Sequence, residues 1–376
     1  MRFPEFTDKL SNVKLSSLFK KCTQKNKDGQ VTNVICNSAK NGLVPQRDFF
    51  DKDIANAENT ASYYIIQKQD FVYNPRKSNE APYGPISMYK YEEDGIVSPL
   101  YLCFRLTEPL CANFFETYFK SCAWHRYIYL MGDSGARHDR VSIKDEVFFD
   151  MPINIPALPE QEKIAEFLSL VDERIEQQRQ LVEALKRYKR GVINKVLSSI
   201  KQTDMVLLKD LVTKGHVKLG RGNVIPKYKK DESKIYPVYS SSTHNDGLMG
   251  FYDSFMFDNE LITWSIDGGG NFFYRKKHKF NVTNVCGILE LDSTQYNYKF
   301  IAECLIHQHE RKHFDYLSKA HPSVIIDMYK LPNISIDVQQ KYATLFLAFD
   351  DLIIASEQVV DNLRQVKTAL LQQMFI

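Results

Sequence analysis

Apolar residues recur in alternating steps of four and three along two long stretches of the chain, residues 159–197 and 337–375. Helix-forming residues dominate both stretches, and Gly191 is the only glycine or proline after the first residue of either one. The pattern predicts two helices of about 37 residues, roughly 55 Å long, each with a heptad seam. The predicted seam comprises Ile164, Leu168, Val171, Ile175, Val182, Leu185, Val192, Val196, Tyr342, Phe346, Phe349, Ile353, Val360, Leu363, Leu370 and Met374.

The two stretches match each other at a constant offset of 178 residues, which is the separation of Gln161 and Gln339. Both seams are interrupted at equivalent positions, Gln178 and Ser356, and then Lys189 and Lys367. Because such interruptions restrict the register, we expect the helices to pack on each other as an antiparallel coiled coil. The expected neighbours are Ile164 with Met374, Gln178 with Val360, and Val196 with Tyr342. Two unrelated amphipathic helices on separate domains are the alternative.

Each helix follows a segment with short apolar runs between Gly, Pro and Asn turns, which is typical of strands. Residues 13–21 (VKLSSLFKK) align loosely with residues 206–214 (VLLKDLVTK), so the duplication extends beyond the helices. We therefore predict a mixed α+β protein, a tandem duplication of a globular domain and a long helix. The expected boundaries are 1–158 for the first globular domain, 159–200 for the central helix, 201–336 for the second domain and 337–376 for the C-terminal helix.

The composition fits a globular protein, with 44% hydrophobic, 12% aromatic and 25% charged residues. The polar start of the chain and the lack of an apolar run of about 18 residues favour a location inside the cell. The seven cysteines form no C-x-x-C pair, so we expect reduced thiols. A net charge of +3 is too small to indicate nucleic-acid binding by itself, so local charge has to carry that inference.

The order of these features resembles the specificity subunits of type I restriction-modification enzymes. The resemblance rests on the opening Arg2-Phe3-Pro4-Glu5-Phe6, on Pro156, Pro159, Glu160 and Gln161 before the central helix, and on the repeat of that helix at the C-terminus. Target-recognition domains of that family also resemble the segments DFVYNPRKSNEAPYGPI and YPVYSSSTHNDGLMGFYD. The second helix start departs from the pattern, since Val338-Gln339 replaces Glu-Gln and no proline directly precedes it.

The resemblance implies a non-catalytic, DNA-reading subunit of the prokaryotic cytoplasm. Each globular domain would bind one half of a split double-stranded DNA target, and the helices would set the unread spacer. Two methyltransferase subunits would dock on the helices, and restriction would need additional motor-nuclease subunits. The chain would carry no cofactor, since S-adenosylmethionine, ATP and magnesium would bind the partner subunits.

DNA binding needs cations for phosphates and a few side chains that reach base edges. Candidates in the first domain are Arg76 and Lys77 in a turn, and Arg137, His138 and Arg140 in a glycine-containing loop. Candidates in the second domain are Ser241, Ser242, Thr243, His244, Asn245, Arg275, Lys276, Lys277, Lys319 and His321. An ordinary solvated face is the alternative for each charge run, and a self-capped turn is the alternative for the serine-rich segment.

Residues His309-Glu310-Arg311-Lys312-His313 spell H-E-x-x-H, which on a helix can bind zinc. Arg311 and Lys312 would have to be buried in such a site, so we favour a surface or DNA-facing helix and expect no metal. The chain has no G-x-x-x-x-G-K-[ST] phosphate loop, and Asn74-Pro75 lacks the Pro-aromatic continuation of an amino-methyltransferase. A scaffold that joins proteins without touching DNA and a zinc hydrolase are the remaining alternatives.

Overall fold

The computed structural model describes residues 1–49, 57–107, 109–133, 139–225, 235–242, 244–267, 269–312 and 319–375. The chain divides into two compact units, of which the first contains Met1–Gln178 and Val359–Ile376 and the second Arg179–Gln358. Both divisions fall inside long helices. Each unit therefore contains a sheet domain and one end of each long helix.

The first unit alternates short strands and short helices before its long helix. Its elements are β1 (Ser11–Lys14), α1 (Leu15–Leu18), β2 (Phe19–Lys21), β3 (Ile35–Ser38), β4 (Gly42–Pro45), α2 (Gln46–Phe49), β5 (Tyr64–Ile66), β6 (Phe71–Tyr73), β7 (Ile86–Met88), β8 (Gly95–Val97), β9 (Leu102–Leu106), α3 (Ala112–Lys120), α4 (His125–Met131), α5 (Asp145–Phe149), β10 (Pro152–Ile155) and α6 (Leu158–Ser199). The antiparallel sheet β2-β9-β6-β7 is its centre, and the pairs β3-β4, β5-β8 and β1-β10 surround it.

The central sheet of the first unit is buried on both faces, because successive side chains of a strand point to opposite sides. Phe71 and Phe104 enter an aromatic core that also contains Phe19, and their rings lie 5.7 Å apart. Val72 and Cys103, one position along each strand, enter a second apolar cluster on the other face. The continuous apolar runs of the sequence are thus explained by a sheet without a solvated side.

The second unit also combines strands and short helices with a long helix, and several of its strands are longer than those of the first unit. Its elements are β11 (Met205–Leu207), α7 (Leu208–Thr213), β12 (Val217–Arg221), β13 (Tyr236–Tyr239), β14 (Leu248–Tyr252), β15 (Leu261–Ser265), β16 (Phe272–Arg275), β17 (Asn281–Val282), β18 (Cys286–Leu291), α8 (Tyr298–His309), α9 (Pro322–Met328), β19 (Lys330–Pro332) and α10 (Ile336–Phe375). The sheets are β12-β18-β15-β16, β14-β13-β17 and β11-β19.

Trp264 is the centre of the second core and is fully buried. Gly287 lies opposite it in the β15-β18 register, and a Cβ on this glycine would come within 2.0 Å of the indole ring. The indole N–H donates a hydrogen bond to the carbonyl of Ala320 at 2.7 Å, which holds the chain before α9 against the sheet. All seven cysteines of the chain are free thiols.

The two long helices pair within each unit. In the first unit Ile164 and Leu168 of α6 share a core with Leu370 and Met374 of α10, and in the second unit Val196 shares a core with Tyr342. The start of one helix therefore meets the end of the other, which is an antiparallel arrangement. Among the described helices none is both long and apolar enough to span a membrane.

Every predicted seam residue is buried or half-buried. The buried ones are Ile164, Leu168, Ile175, Val182, Val196, Phe346, Ile353 and Val360, and the half-buried ones are Val171, Leu185, Val192, Tyr342, Phe349, Leu363, Leu370 and Met374. The polar interruptions Gln178 and Ser356 are buried too, with 8% and 7% of their surface exposed.

The duplication is visible where each sheet domain joins its helices. Strands β1 and β10 pair in the first unit as β11 and β19 do in the second. The backbone N–H of Leu15 donates to Met151, and that of Leu208 donates to Tyr329, both at 2.9 Å. Met151 and Tyr329 are themselves equivalent residues of the repeat, so the loose alignment of residues 13–21 with residues 206–214 reflects one shared local structure.

Candidate nucleic-acid interface

Arg76, Lys77 and Arg140 lie together in the first sheet domain. Arg76 and Arg140 are partners in an isolated antiparallel bridge, and the N–H of Lys77 donates to the carbonyl of Asp139 at 2.8 Å. All three cationic residues line one cavity of about 390 Å³. The sequence proposed them as separate segments, and the fold brings them into one place. Arg137 and His138, from the same candidate set, lie outside the described residues.

The turn that carries Arg76 depends on a glycine. Gly84 has a φ of +82°, and a Cβ there would come within 2.1 Å of the carbonyl oxygen of Asn74. The N–H of Asn74 donates to the carbonyl of Pro85, and the hydroxyl of Tyr73 donates to the carbonyl of Tyr83. These contacts close the segment from Asn74 to Pro85 into a defined loop.

The serine-rich segment of the second domain forms a loop between β13 and β14. The N–H of Ser240 donates to Gly247 at 2.8 Å, and the hydroxyl of Ser265 donates to the carbonyl of Ser241 at 2.6 Å. Asn245 and Asp246 both have a φ of 50°, in the left-handed region that asparagine and aspartate adopt more readily than other non-glycine residues. The backbone thus makes a left-handed turn at these two residues.

Ser242, His244 and Asn245 are exposed on that loop, while Ser241 is half-buried. The hydroxyl oxygen of Ser242 accepts a hydrogen bond from the N–H of His244 at 3.1 Å, as in a self-capped turn. Thr243 lies outside the described residues.

Arg275 supports the loop from below and is buried, with 4% of its surface exposed. Its guanidinium donates to the hydroxyl of Thr263 and to the carbonyl of Asp246, at 3.0 and 2.7 Å. The guanidinium carbon lies 3.7 Å from the centre of the Tyr239 ring. Burial lowers the pKa of Arg275, although Tyr239 opposes the shift. Arg275, which the sequence proposed as a DNA-contacting residue, therefore makes its hydrogen bonds and its ring contact inside the protein.

The residues after Arg275 differ from it in exposure. Lys276 and Lys277 are exposed, and Lys276 lies 3.4 Å from Asp351. His278 stacks on Phe280, with the ring centres 4.7 Å apart. The three adjacent cations therefore differ: Arg275 is buried and supports the loop, whereas Lys276 and Lys277 are exposed to solvent.

Lys319 contacts a residue just after strand β15, and His321 contacts the last residue of β12. Lys319 forms an ion pair with Asp267 at 2.9 Å, and His321 occupies the position before the first turn of α9. The imidazole of His321 contacts the guanidinium of Arg221 on β12. Arg221 is exposed and was not among the sequence candidates.

The described residues of the H-E-x-x-H segment, His309 to Lys312, do not continue as a helix. Helix α8 ends at His309, where the motif begins. Both ring nitrogens of His309 are engaged, one with the Tyr329 hydroxyl and the other with the Asn271 side chain, each at 2.9 Å. His313 lies outside the described residues, and the described part of the chain contains no cluster of metal-ligating side chains.

Two buried glutamines fasten the sheet domains to the long helices. The side-chain amide of Gln161 donates to the carbonyl of Pro156 at 2.9 Å, and that of Gln339 donates to the carbonyl of Ile334 at 2.8 Å. Their side-chain oxygens accept from the backbone N–H groups of Cys111 and Asn297, just before α3 and α8. The sequence shows that Gln161 and Gln339 are identical residues at equivalent positions of the repeat, whereas their hydrogen bonds are seen only in the structure.

Glu160 precedes the first glutamine and is bound by the guanidinium of Arg2, with 2.8 Å from Nε to the carboxylate. Val338 occupies the equivalent position in the second copy and is exposed. The second helix start therefore has no counterpart at Val338 of the ion pair that Glu160 forms with Arg2 at the first helix start.

The second unit also contains a cluster of four charged side chains. Lys189 of α6 lies 2.7 Å from both Glu303 of α8 and Asp350 of α10, and Lys299 contacts the same two carboxylates. Burial raises the pKa of Asp350, but the two lysines outweigh it and hold that pKa below its ordinary value. The cluster joins the sheet domain to both helices.

A duplicated sheet domain, attached in each copy to a long helix, defines the class of protein to which this fold belongs. Residues 9–187 and 201–364 match the family described as Type I restriction modification DNA specificity domain. The specificity subunit of the type I restriction enzyme MpnII of Mycoplasma pneumoniae is 29% identical over 136 residues, which cover 35% of this chain and 41% of that relative. This chain spans 45% and 24% of the lengths of two other curated type I specificity subunits that it matches, which is less than half of each.

Two solved structures share the fold over nearly the whole chain. The S subunit of a type I restriction-modification system from M. genitalium superposes with a TM-score of 0.57 and 17% identity, covering 100% of this chain and 99% of that one. The HsdS subunit from Thermoanaerobacter tengcongensis gives a TM-score of 0.52 and 13% identity, covering 98% and 97%. Both agree with the two sheet domains and the paired helices.

The chain belongs to the DNA specificity subunits of type I restriction-modification systems. Members of this family are the non-catalytic components of their systems and carry no cofactor themselves.

Proposed function

We propose that the chain reads a double-stranded DNA target in two halves. The sheet domain of residues 1–158 binds one half-site and that of residues 201–336 binds the other. The long helices of residues 159–200 and 337–376 set the length of the spacer between them. Arg76, Lys77 and Arg140 contact the first half-site, and the Ser240–Gly247 loop with Lys276, Lys277, Lys319 and His321 contacts the second.

One observation carries this proposal, the repeated attachment of each sheet domain to its own helix start. Gln161 and Gln339 make equivalent hydrogen bonds, so each domain is fixed to the helix pair in the same way. The loops of the two domains carry different side chains, such as Arg76 in the first domain and His244 in the second. A constant framework with variable loops suits a protein that reads two different sequences.

We further propose that two methyltransferase subunits dock on the helices, one for each copy of the repeat. Apolar side chains that face away from the seam support this. On α10 they recur every seven residues and are 40–52% exposed, namely Leu345, Leu352, Val359 and Val366. S-adenosylmethionine would bind those partners, and ATP and magnesium would bind restriction subunits where the system has them. The assembly would work in the prokaryotic cytoplasm, where the genome lies.

A domain exchange tests the reading function. Residues 206–326 are replaced by the equivalent segment of another specificity subunit, and the chimera is expressed with its methyltransferase in a host without other methylation. We expect methylome sequencing to show a changed second half-site and an unchanged first half-site, because distant sites contribute independently.

The exchange of residues 13–150 is the matched control and should change only the first half-site. If either chimera altered both halves, the domains would form one composite surface and the modular proposal would be wrong. If the unmodified chain showed no salt-sensitive affinity for DNA, a protein-joining scaffold would be the better description.

A further inference from the structure

The cavity beside Arg76, Lys77 and Arg140 concentrates positive charge without a carboxylate in its wall. Its described lining contains these three cations and no aspartate or glutamate. Outside the wall, the carboxylate of Asp139 lies 3.8 Å from Nε of Arg140 and is itself 55% exposed. The cavity is therefore suited to an anion.

The backbone forces two of the cations together. Arg76 and Arg140 are direct partners in the antiparallel bridge, which places their Cβ atoms about 4.5–5.5 Å apart. Like charges at such positions repel each other. Nε of Arg140 is buried and has no hydrogen-bond partner among the described residues. An anion between the guanidinium groups would relieve the repulsion and supply that missing acceptor.

Three serine hydroxyls of the same wall accept hydrogen bonds from nearby backbone N–H groups. The oxygen of Ser38 accepts from the N–H groups of Lys40 and Asn41, that of Ser78 accepts from Ala81, and that of Ser98 accepts from Leu100. Because each oxygen already accepts a backbone bond, its proton is available to an oxygen in the cavity. The wall thus offers cations and O–H donors, which are the partners that phosphate oxygens take.

The amide side chains of the cavity are not available to read a base. Asn37 donates to the carbonyls of Val72 and Pro85 and accepts from Ser87. Asn74 donates to the carbonyl of Asn37 and accepts from the N–H of Arg76. Both amides therefore hold the wall in shape.

We propose that this cavity is a phosphate clamp that seats one backbone phosphodiester of the DNA, with its sugar, against Arg76, Lys77 and Arg140. The inference rests on the proposed function and says how the first domain is positioned on the duplex rather than how it reads the sequence. Phosphate contacts of this kind set register and orientation and carry little sequence information.

The test measures the affinity of the full chain for its methylated target duplex and for an unrelated duplex over a series of salt concentrations. Each phosphate contact contributes about 0.9 to the slope of log affinity against log salt. We expect Arg76→Gln and Arg140→Gln each to lower that slope by up to about 0.9 and to weaken both duplexes alike. Lys68→Gln is the control, because Lys68 is an exposed cation of the same domain that is paired with Glu92.

Arg76→Lys keeps the charge and should restore most of the slope, while thermal unfolding should show all variants folded. An unchanged slope in both glutamine variants would overturn the clamp, and so would weakened binding of the target alone, which would mean that the arginines read a base. Inorganic phosphate separates the other source of this chemistry. If it stabilised the wild-type chain but not the variants while the DNA slope stayed constant, the cavity would be a site for free phosphate. Absence of DNA binding by the unmodified chain would instead contradict the proposed function as well.

Discussion

The ammonium nitrogen of Lys189 lies 2.7 Å from a carboxylate oxygen of Asp350, so that α6 and α10 are joined by an ion pair. The equivalent residues of the repeat, 178 positions away, form the reverse pair, in which Lys367 of α10 supplies the cation and Asp172 of α6 the carboxylate, at 2.5 Å. The two pairs are one contact used twice in an antiparallel repeat. They differ in burial, since Asp172 is 48% exposed and Asp350 is 25% exposed and shares the second lysine, Lys299.

This difference predicts unequal stability losses for equivalent substitutions. We expect Lys189→Met to lower the free energy of unfolding by about 3 kcal/mol, because Glu303 and Asp350 would keep only one lysine in a poorly solvated place. Lys367→Met should cost less than about 1 kcal/mol, because solvent screens the partner carboxylate. Urea titration of both variants measures the two losses. Equal losses would show that the Lys299–Glu303 part of the cluster adds nothing.

The same cluster predicts a stability change in acid. The pKa of Asp350 is lowered in the folded state, so its stabilising effect is fully present above the ordinary aspartate pKa of about 4 and is lost as the pH falls through the lowered value. The free energy of unfolding of the wild-type chain should therefore approach that of Asp350→Asn below pH about 4. Chemical denaturation of both proteins at a series of pH values checks this. A difference that persisted undiminished in acid would contradict the assigned role of the charge.

Arg275→Lys should disturb reading of the second half-site alone. A lysine cannot stack a planar group on Tyr239 while it donates to both Thr263 and Asp246, so the left-handed turn at Asn245 and Asp246 would lose its support. We expect relaxed methylation at second-half positions and an unchanged first half, measured by methylome sequencing. Lys277→Gln is the control, since an exposed lysine should weaken binding without changing the sequence read. A variant with normal specificity would show that Arg275 only stabilises the fold.

Gln161→Ala and Gln339→Ala should have similar effects. Each removes the hydrogen bonds that join a helix start to its sheet domain and leaves a backbone N–H, of Cys111 or Asn297, without its acceptor. A loss of about 1–3 kcal/mol is expected for each. Gln365→Ala, on an exposed face of α10, should be nearly neutral. Thermal and urea unfolding compare the three, and a neutral result at either buried glutamine would exclude it as an anchor.

Seven residues inserted into each long helix should lengthen the unread spacer. One heptad in each copy preserves the seam and adds about 10 Å of helix, or roughly three base pairs at about 3.4 Å each. Methylome sequencing of the variant measures the spacer directly. A folded, active variant with the original spacer would contradict the idea that the helices set the distance.

The helix seam was predictable because a period of three and four is a property of the sequence alone. Every seam position is at least half-buried, yet buried Ile193 was not in the predicted set, which had its neighbour Val192. Near the end of α6 the helix also packs on the second sheet domain, whose core contains Ile193. The width of the buried stripe there depends on the sheet domain, which the helix sequence does not show.

The candidate site was less predictable because charge along the sequence does not reveal direction. Arg275, Lys276 and Lys277 are adjacent cations, but only the first points into the protein, as the last residue of β16. Lys299 is a cation that the sequence did not single out, and it is buried beside Glu303 and Asp350, which neutralise it. Arg76 and Arg140 are 64 residues apart, and only the bridge between their backbones joins them.

The reciprocal ion pairs also constrain how the gene can change. Each pair takes its lysine from one copy and its aspartate from the other, so exchanging the two residues within a single copy would leave two aspartates facing each other at one contact and two lysines at the other. The partner of Asp172 is Lys367 of the other copy and not a residue of its own copy. The two helices are therefore coupled to each other at these four positions, while the loops of the sheet domains take no part in either pair.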